Sequence, residues 1–194
     1  MQLTTLLLSL FATAATAVPA SGSSCPAPTR KFGIMALRSA SRIHFAQVGA
    51  YQSKMILNLP DEKLNAECTD GVARRDATFY IQNGELYLYG TKDKVQQFFT
   101  DRSGMGQGVL QYFNRGETGL GSRFELKGWA VDENDNLTFN GAGLQACPST
   151  TDDSWFVWIS GVEKPAGQEG CLPFTARTVT NANPVKCTYS TYSA

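Results

Sequence analysis

The segment Thr78-Phe-Tyr-Ile-Gln-Asn-Gly-Glu-Leu-Tyr-Leu-Tyr89 decides the fold class of this chain. Asn-Gly is the preferred pair of a two-residue type I′ hairpin, because both central positions need a positive φ. The turn sets the register, so that Ile81 faces Leu86 and Phe79 faces Leu88 on the core side. The opposite face carries the remaining pairs, Tyr80–Tyr87, Thr78–Tyr89 and Gln82–Glu85. This alternation predicts two antiparallel strands with one buried face.

A second hairpin is predicted roughly fifty residues further on, where a polar loop over 132–136 pairs Val131 with Leu137 and Trp129 with Phe139. A weaker copy of the pattern lies about the same distance upstream of the first hairpin. Three copies of a hairpin plus a strand are typical of a β-trefoil-like barrel, and short strands separated by turn residues are also typical of a β-sandwich. We therefore predict a single compact, antiparallel all-β domain of one of these two kinds.

The chain divides into four parts by composition. Residues 1–17 contain a short apolar run followed by small residues, which predicts a cleaved signal peptide and a secreted protein. We expect residues 18–31 to be an N-terminal extension, 32–187 to be the β domain, and 188–194 to be a loose polar tail. Because this tail is polar, we expect no lipid anchor. Within the domain, Trp155-Phe-Val-Trp-Ile159 is apolar on both faces, which predicts a central core strand and not an edge strand, since an exposed run of this kind would aggregate.

The cysteines predict a disulfide-stabilised domain. An oxidising compartment favours pairing among the five candidates, which are Cys25, Cys68, Cys147, Cys171 and Cys187. Two bridges leave one thiol over, and the sequence does not choose among the pairings. None of the spacings resembles CxxC and the chain has 1 histidine, so we expect no metal site and no cofactor.

The charge balance limits the partners. There are 17 basic and 17 acidic side chains, and they are interspersed along the sequence. The sequence therefore shows no excess or cluster of positive charge of the kind that binds nucleic acid or an anionic membrane. We expect a monomer with neither partner. Asn136-Leu-Thr138 is the N-glycosylation sequon of this chain, which makes Asn136 the expected glycan site on the secretory route.

The residues do not predict catalysis. The single histidine, His44, lies between two apolar residues, and no G-x-S-x-G motif accompanies it. Paired carboxylates could hydrolyse glycosidic bonds, and the candidates are Glu85, Asp93, Asp101, Glu125, Asp132, Asp135 and Asp152. Most of these lie at turns, where Asp serves the backbone, so we expect no catalytic residue.

The stretch Asp101-Arg-Ser-Gly-Met-Gly-Gln-Gly108 is rich in glycine but lacks the Lys-Ser/Thr ending of a phosphate-binding loop. We interpret it as a tight, irregular connection between two strands. Gly104, Gly106 and Gly108 are expected to adopt dihedral angles that other residues avoid, and Asp101 and Arg102 to cap the turn.

One face of the first hairpin carries Tyr80, Tyr87 and Tyr89. Aromatic faces beside polar side chains are the kind of surface that stacks on sugar rings, so these residues are candidates for glycan contact. The alternative is that another layer of the sheet covers them.

The chain resembles the fungal PhiA-type cell wall proteins. The likeness is carried by Ala77–Tyr89, by the specific string Asp101–Gly108 and by Leu144-Gln-Ala-Cys-Pro-Ser149. It extends to the opening Cys25-Pro-Ala-Pro and the closing Cys187-Thr-Tyr.

This resemblance implies a secreted protein of the fungal cell wall that is connected with the development of phialides and conidia, with some members met as allergens or antigens. It brings no catalytic residues. The leading hypothesis is therefore a non-enzymatic wall protein held by contacts with polysaccharide or with wall proteins. A soluble secreted effector or elicitor and a glycan-acting enzyme are the alternatives.

Overall fold

The structure is a computed structural model that describes residues 29–116 and 121–192. The expected signal peptide and Cys25 lie outside the described residues. Fourteen strands account for the regular structure of the described part. They are β1 Phe32–Leu37, β2 Val48–Tyr51, β3 Lys54–Leu57, β4 Glu67–Cys68, β5 Phe79–Gln82, β6 Glu85–Leu88, β7 Gln96–Asp101, β8 Val109–Asn114, β9 Trp129–Val131, β10 Leu137–Phe139, β11 Leu144–Pro148, β12 Trp155–Ile159, β13 Leu172–Thr180 and β14 Cys187–Thr188. Two short 3-10 turns, Asp61–Lys63 and Pro165–Gly167, complete the elements.

The main sheet closes on itself as an antiparallel barrel. Its strands follow the order β11-β13-β1-β5-β6-β7-β8-β12, and β12 pairs again with β11. Between β8 and β12, β3 is inserted for part of the wall, and β2 pairs with the outer edge of β3. The prediction of an antiparallel, disulfide-stabilised all-β domain is confirmed, and its form is a closed barrel.

Both predicted hairpins have the predicted register. In the first, Phe79 faces Leu88 and Ile81 faces Leu86. Asn83 and Gly84 have φ values of 54° and 76°, as a type I′ turn requires. In the second, β9 and β10 pair residue for residue as predicted.

The threefold repeat is not present. The β5–β6 hairpin forms two neighbouring strands of the barrel wall, whereas β9–β10 is a separate two-stranded ribbon. This ribbon lies against the first turn, because the amides of Gly128 and Trp129 both donate to the Gly84 carbonyl at 3.0 Å. Its inner face, Trp129, Leu137 and Phe139, is buried in the barrel core. A similar hydrophobic pattern thus serves two different packing roles.

Aromatic side chains fill the barrel. The ring of Phe79 lies 6.3 Å from Phe32 and 5.9 Å from Phe98, and Phe98 lies 5.5 Å from Tyr112. All four are almost fully buried. Burial of this apolar surface is the main stabilising contribution to the barrel.

The strand β12 lies within the sheet, as predicted, with one face toward the core. Val157 and Ile159 point into the core, but Phe156 and Trp158 lie on the outer face and are only half-buried. The prediction of a central strand is confirmed, because β12 pairs with β11 on one side and with β8 and β3 on the other, and its outer face is only partly covered by the described residues.

The C-terminal segment is not loose up to Tyr192. The Tyr189 amide donates to Gln96 Oε1 at 2.9 Å, and Gln96 Nε2 donates to the Tyr189 carbonyl at 2.7 Å. Further along, the Ser53 amide donates to the Ser190 carbonyl at 3.1 Å. The expectation of a loose tail is corrected for 188–192, because buried polar groups of the barrel need these backbone partners.

Two disulfides connect distant parts of the chain. Cys68 pairs with Cys187 across the β4–β14 ribbon, and Cys147 pairs with Cys171 at the β11–β13 edge. The remaining cysteine, Cys25, lies outside the described residues.

Candidate functional site

The tyrosines of the first hairpin form a smaller surface than predicted. The Tyr87 side chain is only 4% exposed and stacks on Tyr80 at a ring distance of 5.1 Å. Burial, together with a hydrogen bond from its hydroxyl to Glu85, raises the pKa of Tyr87 to about 12. The expectation that Tyr87 faces solvent is therefore wrong.

The two remaining rings of this surface are partly covered by a cation. Lys31 Nζ lies 4.9 Å from the Tyr80 ring centre and 5.4 Å from that of Tyr89. Partial burial against the rings lowers the pKa of Lys31. A ligand that stacked here would have to displace this cation–π contact.

A groove of about 420 Å³ lies on the outer wall of the barrel, around β2, β3 and β12. Three stretches that are far apart in the chain form it, residues 51–63, residues 149–156 and Tyr192. We call it the outer groove, and its lining residues are Tyr51, Gln52, Lys54, Ile56, Leu59, Lys63, Ser149, Thr150, Thr151, Asp152, Ser154, Phe156 and Tyr192.

The floor of the outer groove is apolar. In β3, Met55 and Leu57 point into the core, so that Lys54 and Ile56 point outward by strand alternation. Phe156 pairs with Ile56 on the neighbouring strand. Lys54 Nζ lies over the Phe156 ring, 4.3 Å from its centre.

One wall of the groove is a polar loop over 149–154 that is ordered by its own hydrogen bonds. The Ser154 amide donates to Asp152 Oδ1 at 2.9 Å, and the Ser149 amide donates to the Ser154 carbonyl at 2.8 Å. An ion pair joins Asp152 Oδ2 to Lys63. The hydrogen bond from Lys63, followed by those from Ser154, holds the pKa of Asp152 well below its usual range, and the same ion pair raises the pKa of Lys63.

Tyr192 borders the groove and is 64% exposed. Its position is nevertheless defined, because its amide donates to Ser53 Oγ at 3.1 Å and the preceding residues are hydrogen-bonded to the barrel. An aromatic ring is thus held at the surface by an anchored backbone.

The glycine-rich connection joins β7 to β8 as predicted. Asp101 caps the loop by accepting from the Ser103 amide at 2.9 Å, and the hydrogen bonding of Ser103 lowers the pKa of Asp101. Gly108 has a φ of 90°, whereas Gly106 is needed for space, since a Cβ there would lie 2.2 Å from Asp101 Cγ.

Arg102 does not cap this loop. Its Nε donates to Glu125 Oε1 at 2.8 Å, and its second guanidinium nitrogen donates to Oε2 at 2.6 Å. This bidentate pairing lowers the pKa of Glu125. Gly104 has open space around it and a φ outside the positive region.

Most of the candidate catalytic groups are engaged in separate local contacts, and the pair that lies close together, Asp101 and Glu125, is held by Ser103 and Arg102. His44 accepts a hydrogen bond at Nδ1 from the Arg38 amide at 3.1 Å, within a turn. Asp135 pairs with Arg30 at 2.9 Å. Asp132 Oδ1 accepts from the amides at 134 and 136, and the bond from Asn136 is the larger cause of its lowered pKa. Asp93 is exposed between β6 and β7.

The sequon residue Asn136 is half-buried at the end of the second hairpin loop. Its Nδ2 donates to Asp132 Oδ2 at 3.2 Å, and its Oδ1 is buried without a hydrogen-bond partner among the described residues. An amide that carries a glycan keeps one N–H, so this bond is compatible with modification.

Within residues 29–116 and 121–192, no three His, Cys, Asp or Glu side chains come together to hold a metal ion. No helix in the same ranges is long and apolar enough to cross a membrane.

The sequence does not predict the outer groove, although Asp152 is one of its candidate carboxylates. The available signal was the alternation in β12, which places Phe156 and Trp158 on one face of a strand. The other contributors, Tyr51 and Tyr192, lie more than a hundred residues apart, and nothing local indicates that they meet.

The fold and this surface define a small, disulfide-bonded β-barrel protein with an open aromatic and polar groove on its outer wall. A family model described as PhiA-like secreted protein matches residues 32–190. The chain belongs to this family.

Curated relatives extend the match to almost the full length. A protein of Emericella nidulans named cell wall protein phiA is 40% identical over 193 residues, which cover 98% of this chain and 100% of the relative. Proteins of the same name from Aspergillus fumigatus and Aspergillus niger are 40% and 35% identical, over 91% and 98% of this chain and 95% and 99% of their own lengths. No solved structure matches the chain significantly. The resemblance inferred from the residues is confirmed, and the chain is one of the secreted cell wall proteins of this kind.

Proposed function

We propose that this chain is a non-enzymatic protein of the fungal cell wall that supports the development of phialides and conidia. Contacts with wall polysaccharide hold it in place after removal of the signal peptide. The observation that carries the proposal is the likeness, over nearly the whole chain, to proteins named cell wall protein phiA.

The state of the carboxylates supports a non-enzymatic role. A glycosidase needs one carboxyl group with a raised pKa to act as general acid. In this protein the pKa values of Asp101, Glu125, Asp132 and Asp152 are all lowered by hydrogen bonds or ion pairs. Carboxylates of this kind remain ionised and stabilise the loops that contain them through hydrogen bonds and ion pairs.

Retention by polysaccharide is supported by the open groove. A polymer requires a surface that is open along its length, and the outer groove lies on the barrel wall and not in the closed interior. Its lining combines aromatic rings with hydroxyl groups, which suits a ligand with apolar ring faces and polar edges.

Fractionation of the fungus and deletion of the gene test this function. We expect the native protein in the wall fraction, and we expect the deletion strain to form fewer conidia until an intact copy is restored. A native protein confined to the cytosol, or normal conidiation in the deletion strain, would contradict the proposal. Release of sugar from purified wall polysaccharide by the pure protein would refute the non-enzymatic part.

We also propose that Asn136 carries an N-linked glycan. Digestion of the secreted protein with an N-glycosidase should lower its mass, and an Asn136→Gln protein should lack this change. An unchanged mass of the wild-type protein would contradict the assignment.

A further inference from the structure

We propose that the outer groove is the polysaccharide-binding site and that it takes one chain of a neutral polymer of β-linked glucose or N-acetylglucosamine, a β-glucan or chitin. This inference rests on the proposed function, because it names the site and the ligand class by which the protein is held in the wall. The ligand stacks on Phe156 and Tyr192 and forms hydrogen bonds to the loop over 149–154.

The rings supply the apolar part of the site. Tyr192 is 64% exposed although its backbone is hydrogen-bonded to Ser53, so the exposure is a feature of the fold and not of a frayed end. Phe156 lies on the outer face of β12 beside its cross-strand partner Ile56, which is itself 2% exposed. Aromatic rings held at a surface beside polar groups are suited to ligands with one apolar face.

The polar groups favour a neutral ligand. The ion pair between Lys63 and Asp152 cancels the two charges on the loop side of the groove. Both Asp152 oxygens already accept hydrogen bonds, from Lys63 and from Ser154, so that this carboxylate is not a free anion. The hydroxyl side chains of Ser149, Thr150 and Thr151 line the same wall and can donate to or accept from sugar hydroxyls.

One cation remains in the groove. Lys54 forms no ion pair within the described residues and lies on the Phe156 ring. A single cation is insufficient for a polyanion, whose binding depends on several charge contacts. Its flexible ammonium group can move from the ring and donate to a hydroxyl of a ligand that takes its place.

The surface continues beyond the groove in one direction. Phe156 and Trp158 lie two residues apart on the outer face of β12, about 6.8 Å along the strand. A pocket of about 130 Å³ that is lined by both of them, together with Lys54 and Gln111, shares Lys54 and Phe156 with the groove. A linear path of this kind fits a polymer better than a single sugar.

The groove is also preorganised. The loop over 149–154 is cross-linked by Asp152, and the C-terminal segment is hydrogen-bonded to the barrel. Binding therefore does not have to order these segments, which lowers its entropic cost.

The test is a binding isotherm of the mature, oxidised protein on insoluble linear β-glucan and, separately, on insoluble chitin. Tyr192→Ala removes an exposed ring and leaves the core intact, and we expect about tenfold weaker binding, the usual loss for a central aromatic contact. Tyr192→Phe keeps the ring and should bind within about twofold of wild type. A Tyr80→Ala/Tyr89→Ala protein, altered on the other aromatic surface, is the matched control and should bind as wild type does.

Soluble glucan oligomers give a second readout. Trp158 adjoins the groove, so tryptophan fluorescence should change on titration with oligomers, and the midpoint of this change should move to about tenfold higher concentration in the Tyr192→Ala protein.

The outcomes separate this site from the proposed function. If Tyr192→Ala binds as wild type does and Tyr80→Ala/Tyr89→Ala does not bind, the assignment of the site to the outer groove is overturned. Retention of the protein by polysaccharide would still stand. If the wild-type protein binds neither polymer, the inference is overturned. Fractionation would still decide the location of the native protein. A protein that is found in the wall without binding either polymer would be held there by a protein partner. Binding to chitin alone or to β-glucan alone supports the site and identifies the ligand.

Discussion

The two disulfides should contribute unequally to stability, because they close loops of very different length. Cys68–Cys187 spans a sequence separation of 119 residues and Cys147–Cys171 a separation of 24. A cross-link stabilises the native state by restricting the unfolded chain, and the chain-entropy relation gives about 4.9 kcal/mol for a loop of about 120 residues and about 3.5 kcal/mol for one of about 25. We therefore expect Cys68→Ala/Cys187→Ala to be less stable than Cys147→Ala/Cys171→Ala by about 1.4 kcal/mol.

The two variants are well matched. Each removes one almost fully buried cysteine, Cys187 or Cys147, and one partner that is half-buried, so the loss of packing is similar in both and largely cancels. The difference that remains is the difference in loop length.

The assay is equilibrium unfolding in urea with fluorescence detection. With an m value of about 2 kcal/mol/M, the midpoints of the two variants should differ by about 0.7 M. Thiol counting on unfolded, unreduced wild-type protein should find a single reactive thiol. Equal midpoints, or a lower midpoint for the Cys147→Ala/Cys171→Ala protein, would refute the reasoning from loop length. Five reactive thiols would refute the bridges themselves.

Three further predictions concern the barrel. Gly106→Ala should destabilise the protein by about 2 kcal/mol or more, because the added Cβ would overlap the capping aspartate, whereas Gly104→Ala, with nothing within 4 Å, should be nearly neutral in the same urea titration. Gln96→Met leaves a buried backbone N–H and C=O unpaired and should cost about 2–4 kcal/mol. Gln97→Met changes the next residue, which is equally buried, and removes an Nε2 that has no partner among the described residues, so it should destabilise the protein less. A larger loss of stability in Gln97→Met than in Gln96→Met would contradict the hydrogen-bond assignment. The pKa of Tyr87 is raised to about 12, so the stability from keeping its phenol neutral should be complete below its ordinary pKa of about 10 and be lost as the pH rises toward 12. Burial also raises the pKa of Tyr112 and of Tyr189, so Tyr87→Phe should reduce the alkaline decline without abolishing it, and an unchanged slope of stability against pH would exclude Tyr87 as a contributor.

Local chemistry made the hairpins predictable. The turn at Asn83-Gly84 needs two residues with positive φ, and the alternation on either side fixes which side chains are buried. The same local rules gave the cap at Asp101 and the register of β9 with β10.

The closure of the barrel could not be predicted in this way. Pairing of β1 with β13 joins residues more than a hundred positions apart, and such a choice depends on the whole core. The repeat pattern was misleading because two hairpins with similar hydrophobic spacing can pack as neighbouring strands of the wall or as a separate ribbon.

The candidate site was the least predictable part. Tyr87 was expected to be exposed because strand alternation identifies the two faces of a hairpin but not what covers each face. The outer groove depends on three distant stretches of the chain, and one of them is the C-terminal segment, whose contacts with Gln96 and Ser53 have no sequence signature.

The most direct test of the account is to treat isolated native cell walls with an excess of soluble β-glucan or chitin oligomers and to measure how much of the protein is released. If a neutral polysaccharide holds the protein through a non-covalent site, oligomers should release most of it without a reducing agent, and an unrelated charged polymer should not. A protein that is found only in the culture medium, or that leaves the wall only on reduction, would contradict this account.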